Sequence, residues 1–214
     1  MQAAKQLYST GVQALAALPQ LEAYAVQAKN ADAASMRRWL ASLLAIHQPK
    51  RMIALDCPWW NVAATGKAER FLAARPDARV FEYGAGASTA WLARRAGEVI
   101  SVEHHAGWHG ALGPMIADHR NVTLWHRELE GEGYIGAIAE AGGAFDLIVV
   151  DGRRRVECLA QAIPFLKPDG IVLFDDSARR RYRAAIAGCG LKEDWNYGRS
   201  YCVPYPDASS ILHV

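Results

Sequence analysis

The sequence predicts an α/β fold built on a doubly wound, mostly parallel sheet, and three observations carry that reading. From Arg79 onward, short apolar runs alternate with stretches of helical character. The runs are apolar at nearly every position, as strands are when helices bury both faces of a parallel sheet. The last two runs have no helix between them, so they pair antiparallel.

In chain order, residues 1–47 read as helical. Leu15, Leu18 and Leu21, then Leu40, Leu43 and Leu44, fall at helical spacings with Ala between them. Pro19 ends or bends the first helix, and Asp32 or Ser35 caps the second. These residues are expected to form a helical extension or lid ahead of a domain spanning 48–214. They either cover one side of the core or join two copies of the chain as a homodimer. Strands are expected at Arg79–Tyr83, Val99–Glu103, Val122–His126, Phe145–Val150 and Gly170–Phe174. Helices are expected at Ser88–Ala96, His105–Asp118, Tyr134–Glu140 and Arg155–Leu166. Leu191–Tyr197 and Ser209–Val214 are the closing strands, joined by a loop around Pro204 and Pro206. Open sheets of this kind bind ligands at the carboxyl ends of their strands.

Composition narrows the function. A hydrophobic fraction of 51% and a charged fraction of 21% are those of a soluble globular chain. The net charge of +2 is too small to point to nucleic acid or to a membrane surface. No apolar stretch approaches the ~18 residues that span a bilayer, and the N-terminus lacks a signal-peptide pattern. Cys57, Cys158, Cys189 and Cys202 form no C-x-x-C pair, which argues against a zinc site and fits reduced thiols in a cytoplasmic protein.

Gly84 and Gly86 follow the first strand directly, with Ser88 and Thr89 opening the next helix. Glycine permits the tight turn and lets a ligand approach the backbone, although a tight turn with no ligand would use the same pair. The flanking acids sharpen the choice. Glu103 at the end of the second strand is placed to accept both hydroxyls of a ribose. Glu82, just before the glycines, suits a ligand with a cationic amino group and suits a pyrophosphate poorly. A nicotinamide fingerprint would also want a third glycine where Thr89 stands. An amino-acid-bearing nucleoside fits better, and S-adenosylmethionine is the candidate.

The stretches "VFEYGAGASTAWLARRAGEVISVEHHAGW" and "FDLIVVDGRRRVECLAQAIPFLKPDGIVLFDDS" resemble class I S-adenosylmethionine-dependent methyltransferases of the small-molecule type, and the resemblance covers Trp59 to Val214. It implies a Rossmann-like sheet of seven strands with an antiparallel last strand and helices on both faces, the N-terminal helical extension lying outside it. It further implies a cofactor-binding set of Glu82, Gly84, Ala85, Gly86, Ser88, Thr89, Glu103, His104, Glu128 and Asp151. In that set Glu82, Gly84 and Gly86 meet the methionine part and Glu103 holds the ribose. The stretch "WHRELEGEGY", which contains Glu128, borders the adenine. Ser88 stands where the family's usual third glycine does, a G-x-G-x-S-T form that marks a subfamily.

The methyl acceptor should lie beside the cofactor, at the ends of the fourth and fifth strands. Asp151 stands there in "VVDGRRR", and Asp175 and Asp176 in "LFDDS". Three converging carboxylates need a divalent ion or a basic group among them. Small metal-dependent O-methyltransferases of the catechol and macrolide-sugar type carry acids after the same two strands. Mg²⁺ held by Asp151, Asp175 and Asp176 is therefore one reading. In the other, Asp176 or Ser177 caps the next helix and Asp151 meets cofactor or an arginine. The metal-free reading is favoured, because Arg153–Arg155 stand within a few positions of the acids. Asp151 is then the preferred acceptor of the hydroxyl proton, ahead of His104, His105 and His126. Trp59 and Trp60 either wall the pocket or pack the N-terminal helices. Arg153–Arg155 and Arg179–Arg181 with Arg183 form either a solvated face or a site for an anionic acceptor.

The expected function is methyl transfer to an oxygen of a small molecule. The alternatives are an NAD-dependent oxidoreductase on a similar sheet and a non-catalytic S-adenosylmethionine-binding protein. A nucleic-acid partner is disfavoured, because no aromatic residues interleave the basic runs, and no membrane partner is expected.

Overall fold

A computed structural model describes residues 10–14, 16 and 18–214. Described residues 10–14 and 16 are helical, and α1 (Pro19–Ala28), α2 (Met36–Leu43) and α3 (Pro49–Leu55) follow. The sheet strands and the helices that cover them follow in alternation. They are α4 (Val62–Ala73), β1 (Arg79–Tyr83), α5 (Ala87–Ala93), β2 (Glu98–Glu103), α6 (Ala106–Ile116), β3 (Val122–His126) and α7 (Ala137–Ala141). β4 (Phe145–Val150), α8 (Arg155–Ala162), β5 (Leu166–Asp175), α9 (Arg180–Gly188), β6 (Lys192–Gly198) and β7 (Asp207–His213) complete the chain.

The sheet has seven strands in the order β3-β2-β1-β4-β5-β7-β6. β1 pairs parallel with both β2 and β4, and β7 is inserted antiparallel between β5 and β6. This is the Rossmann-like architecture with a reversed last strand that the sequence predicts. The chain turns outward in opposite directions on either side of β1 and β4, so a crevice opens at their carboxyl ends.

Alternation along each strand feeds two cores. Phe81 and Tyr83 pack with Tyr134, Ile138, Leu159 and Tyr182 on the α7–α8–α9 face. Val80 packs with Trp60, Leu72 and Trp91 on the α4–α5 face. Fully burying one such side chain is worth roughly 1.5–3 kcal/mol, so the central strands anchor the domain. A further cluster joins Ala28, Ala41, Ala45, Met52 and Leu55 to Ala87, Tyr201 and Cys202, which seats α1, α2 and α3 against the start of α5 and the β6–β7 loop. Buried Arg38 ties these helices together by donating to the carbonyls of Leu55, Lys29 and Ala31. Trp39 Nε1 donates to Ser200 O at 2.9 Å, and Tyr201 Oη donates to Ala33 O at 2.6 Å.

Several expectations need correction. Helical residues 10–14 and 16 stop before Leu18, and Pro19 opens α1 at its first turn, where the missing N–H costs nothing. Leu15 lies outside the described residues. Of the two cap candidates Ser35 caps α2, accepting from Arg38 N, whereas Asp32 makes a short turn to Ala34 N. The leucine stripe is not the buried face: Leu18 and Leu40 are exposed, while Ala41 and Ala45 are buried. β5 begins at Leu166, before the expected Gly170, because Leu166 pairs with Phe145 across a register shift that the turn-forming Pro168, Asp169 and Gly170 disguise. No helix among the described residues is long and apolar enough to cross a membrane.

Asn61 links the front of α4 to the reversed strand. Its Oδ1 accepts from Ala63 N and Ala64 N, its Nδ2 donates to Asp207 O, and its backbone N donates to Ser209 Oγ. Asn61→Ala is expected to cost about 1–3 kcal/mol, read as a lower urea midpoint with an unchanged slope. An unchanged midpoint would show that water replaces these bonds.

Candidate active site

The crevice is built first from two loops that touch. Gly84 closes β1 with φ at +94°, a conformation that side chains avoid. A Cβ on Gly84 would lie 2.6 Å from the Cα of Gly152 in the loop after β4, and a Cβ on Gly152 would lie 2.0 Å from Tyr134 Oη. Gly86 differs. A Cβ there would meet nothing nearer than Ser88 Oγ at 3.8 Å. The first glycine thus shapes the backbone, and the second leaves ligand room.

Behind the loop lies Glu82, which is fully buried. Its Oε1 accepts from Ser88 Oγ, and its Oε2 accepts from Thr89 Oγ1 and Ser101 Oγ, both at 2.6 Å. Thr89 Oγ1 in turn accepts from Gly86 N at 3.0 Å, so the carboxylate fixes the glycine loop through hydroxyl relays. Burial pushes Glu82 up to about 7 against the pull of its three hydroxyl donors. On the far side Trp108 Nε1 donates to Ala85 O at 2.8 Å, a support that the sequence reading missed.

At the end of β2, Glu103 Oε1 accepts from His105 N at 2.7 Å. His104 Nδ1 lies 2.9 Å from the same oxygen but outside hydrogen-bonding alignment, which leaves Oε2 for a ligand. His105 Nδ1 caps α6 by accepting from Trp108 N, and the His126 ring contacts His104 O. Neither of these two histidines lines the cavity.

The ends of β4 and β5 carry the acids. Asp151 Oδ2 accepts from Trp60 Nε1 at 3.0 Å, and Oδ1 accepts from Arg155 at 2.8 Å. Burial raises Asp151 to about 6, with Arg155 opposing the rise and Asp176 adding to it. Asp175 is raised well above the ordinary carboxylate range by burial and then by Asp151, while its Oδ1 accepts from Ser209 Oγ at 2.6 Å. Asp176, at φ +56°, lies 3.2 Å from Arg155 and 2.7 Å from Arg179. Arg155 therefore stands among all three carboxylates. It also donates to the carbonyls of Asp151, Gly152 and Asp175, lashing the two strand ends together. Among the described residues, no group of three or more His, Cys, Asp or Glu is arranged to hold a metal ion. Neither Asp176 nor Ser177 caps the next helix by its side chain; α9 begins at Arg180, behind Arg179.

These parts surround a cavity of about 830 Å³, within the ~300–1,000 Å³ of small-ligand sites. Gly84, Ala85, Gly86, Ser88, Glu103, His104 and Asp151 line it, as the sequence reading expected of a cofactor site. Glu82 and Thr89 stand behind the wall and do not line it. Glu128 is exposed, and no residue of the stretch after β3 lines the cavity. Sequence reasoning missed His47 and Met52, which close the cavity from the N-terminal helices and carry no local signal of that role. A second cavity of about 510 Å³ adjoins, between that same segment and the β6–β7 loop. Trp59, Asp151, Asp176 and Arg179 line both. The tryptophan pair thus divides its work: Trp59 walls the two cavities, while Trp60 is buried edge-on against Trp91.

Residues 81–177 match the family described as "Methyltransferase domain". They run from the first strand to just past the fifth and contain both ligand-facing loops. Over those residues the chain is similar to methyltransferase domains, and its fold is that of class I S-adenosylmethionine-dependent methyltransferases. Solved structures share the methyltransferase fold at low identity. A candidate O-methyltransferase from Klebsiella pneumoniae is 19% identical, with 81% of this chain and 89% of that one covered at a TM-score of 0.57. A methyltransferase-like protein from Silicibacter pomeroyi is 23% identical, covering 69% and 86% at 0.52. An rRNA methylase from Streptococcus thermophilus is 14% identical, covering 71% and 96% at 0.54. No curated protein matches the chain. The family match favours a methyltransferase over the NAD-dependent oxidoreductase.

The two glycines are expected to fail differently. Gly84→Ala should lower thermal stability, because both its φ and its contact with Gly152 forbid a Cβ. Gly86→Val should remain folded by circular dichroism yet lose S-adenosylhomocysteine binding in calorimetry. Equal stability in the two variants would contradict this division. For Glu82, the folded state keeps its proton up to about pH 7 while the unfolded chain releases it near 4.5. Stability contributed by the protonated group is thus full below 4.5 and lost as pH rises through 7. Glu82→Gln is expected to flatten that decline in denaturant titrations across this window, and parallel curves for the two proteins would contradict it.

Proposed function

We propose that the chain transfers the methyl group of S-adenosylmethionine to a hydroxyl oxygen of a small molecule, with Asp151 accepting the proton. The carrying observation is that Asp151 lies on the wall shared by the two cavities, with its pKa brought to about 6.

The residues present fit the cofactor. The open space at Gly86 and the uncommitted Oε2 of Glu103 face the same cavity. Glu103 would hold ribose hydroxyls, and the backbone of residues 84–88 would take the methionine part. The cofactor supplies an activated methyl on a sulfonium, so in-line placement provides much of the rate. The chain's own task is to seat the acceptor and take a proton. Above about pH 6 Asp151 is a carboxylate whose orientation Trp60 and Arg155 fix, and a base with a pKa near working pH is effective. Arg155 supplies the positive charge that converging acids require, which supports methyl transfer without a divalent ion. Mg²⁺ on Asp151, Asp175 and Asp176 would have to displace that guanidinium.

The test is transfer of tritiated methyl from S-adenosylmethionine to a panel of small alcohols, phenols and amines. Hydroxyl acceptors are expected to become labelled at a rate that a chelator leaves unchanged. Asp151→Asn is expected to slow transfer by about 10²–10⁴-fold and to remove a pH inflection near 6. Labelling of amines alone, or a full rate in Asp151→Asn, would overturn the assignment.

A further inference from the structure

The larger cavity continues past Asp151 to a rim of five arginines: Arg153, Arg154, Arg155, Arg179 and Arg181. Three of them are matched. Arg154 pairs with Glu157, Arg155 stands among the aspartates, and Arg179 pairs with Asp176. Among the described residues, the guanidinium of neither Arg153 nor Arg181 meets an acid or a hydrogen-bond acceptor, and both residues line the cavity. Arg181 is nonetheless held in place, its guanidinium 4.7 Å from the centroid of the buried Tyr182 ring. Stacking on an aromatic face leaves the edge N–H donors of a guanidinium free. Two guanidinium forks without an acid partner on one cavity wall, beside aspartates already met by Arg155 and Arg179, suit an anion.

We propose that Arg153 and Arg181 bind a negatively charged group of the methyl acceptor, a carboxylate or phosphate borne on the same small molecule as the reacting hydroxyl. This rests on the methyltransferase reading above. Such a group could also come from the cofactor, whose methionine part carries a carboxylate. Position favours the acceptor. Arg181 lies in the first turn of α9, after β5, one strand beyond the β1–β4 crevice. The neighbouring Arg179 and Asp176 belong to the second cavity as well. The anchored end would set which hydroxyl reaches Asp151, so the pair would determine specificity and take no part in bond making.

The full chain and an Arg153→Gln/Arg181→Gln variant are titrated with inorganic phosphate by calorimetry, with and without saturating S-adenosylhomocysteine. Both residues are exposed, so the variant is expected to keep its fold. Phosphate is expected to bind the wild-type complex and to bind the variant at least about tenfold more weakly, as the loss of charge-assisted hydrogen bonds implies. Affinity for S-adenosylhomocysteine should be unchanged. Equal phosphate affinity in the two proteins, or none in the wild-type complex, would overturn the proposal. So would a tenfold loss of S-adenosylhomocysteine affinity in the variant, which would assign the pair to the cofactor's carboxylate. Failure of the wild type to bind S-adenosylhomocysteine at all would count against the methyltransferase reading, and the phosphate titration alone would still decide the anion site.

Discussion

One guanidinium among three carboxylates is the constraint on which this site depends. A parallel sheet delivers the ends of β4 and β5 side by side; Asp151 follows the one and Asp175 ends the other. Burying such charges without partners costs several kcal/mol for each ion. Arg155 meets that cost with side-chain contacts to the acids and bonds to three carbonyls, so the same residue balances charge and fixes loop geometry. Asp151 consequently sits between two opposing effects. Burial raises its pKa and Arg155 lowers it, and the balance near 6 makes a carboxylate that can still take a proton.

The glycine loop is held through hydroxyl groups. Glu82 is fully buried and gathers three hydroxyls, through which it reaches the amide of Gly86. The two loops are packed so closely at Gly84 and Gly152 that a Cβ on either glycine would meet the other's backbone. Arg155 bonds to Gly152 O from the other direction. The glycine-loop wall and the acid cluster are thereby one packed unit, and the rigidity of the sheet ends extends to the residues that would face a ligand.

The fold was largely legible because buried parallel strands write themselves as unbroken apolar runs, and β1 to β4 fall within a residue of expectation. The exceptions have local causes. Pro168-Asp169-Gly170 reads as a turn, yet the chain passes through a bulge there within β5. Leu40 looks like core by size, yet it is exposed while the small Ala41 and Ala45 are buried. Of the site, the residues that were legible are those whose backbone or strand-end position fixes their direction: Gly84, Gly86, Glu103 and Asp151. Glu82 was placed in the right neighbourhood with the wrong orientation, because it points to the Val80 face of β1 and away from the cavity. His47, Trp108 and Gly152 come from segments whose approach is set by tertiary packing, which no spacing in the chain encodes.

The most direct test of the central claim, that the β1–β4 crevice is a nucleoside site opening onto Asp151, is a crystal structure with S-adenosylhomocysteine. The expected result is ribose hydroxyls on Glu103 Oε2, the amino-acid part along residues 84–88, and the sulfur turned toward Asp151 and the second cavity. A nucleoside bound elsewhere, or one whose sulfur faces away from Asp151, would contradict it.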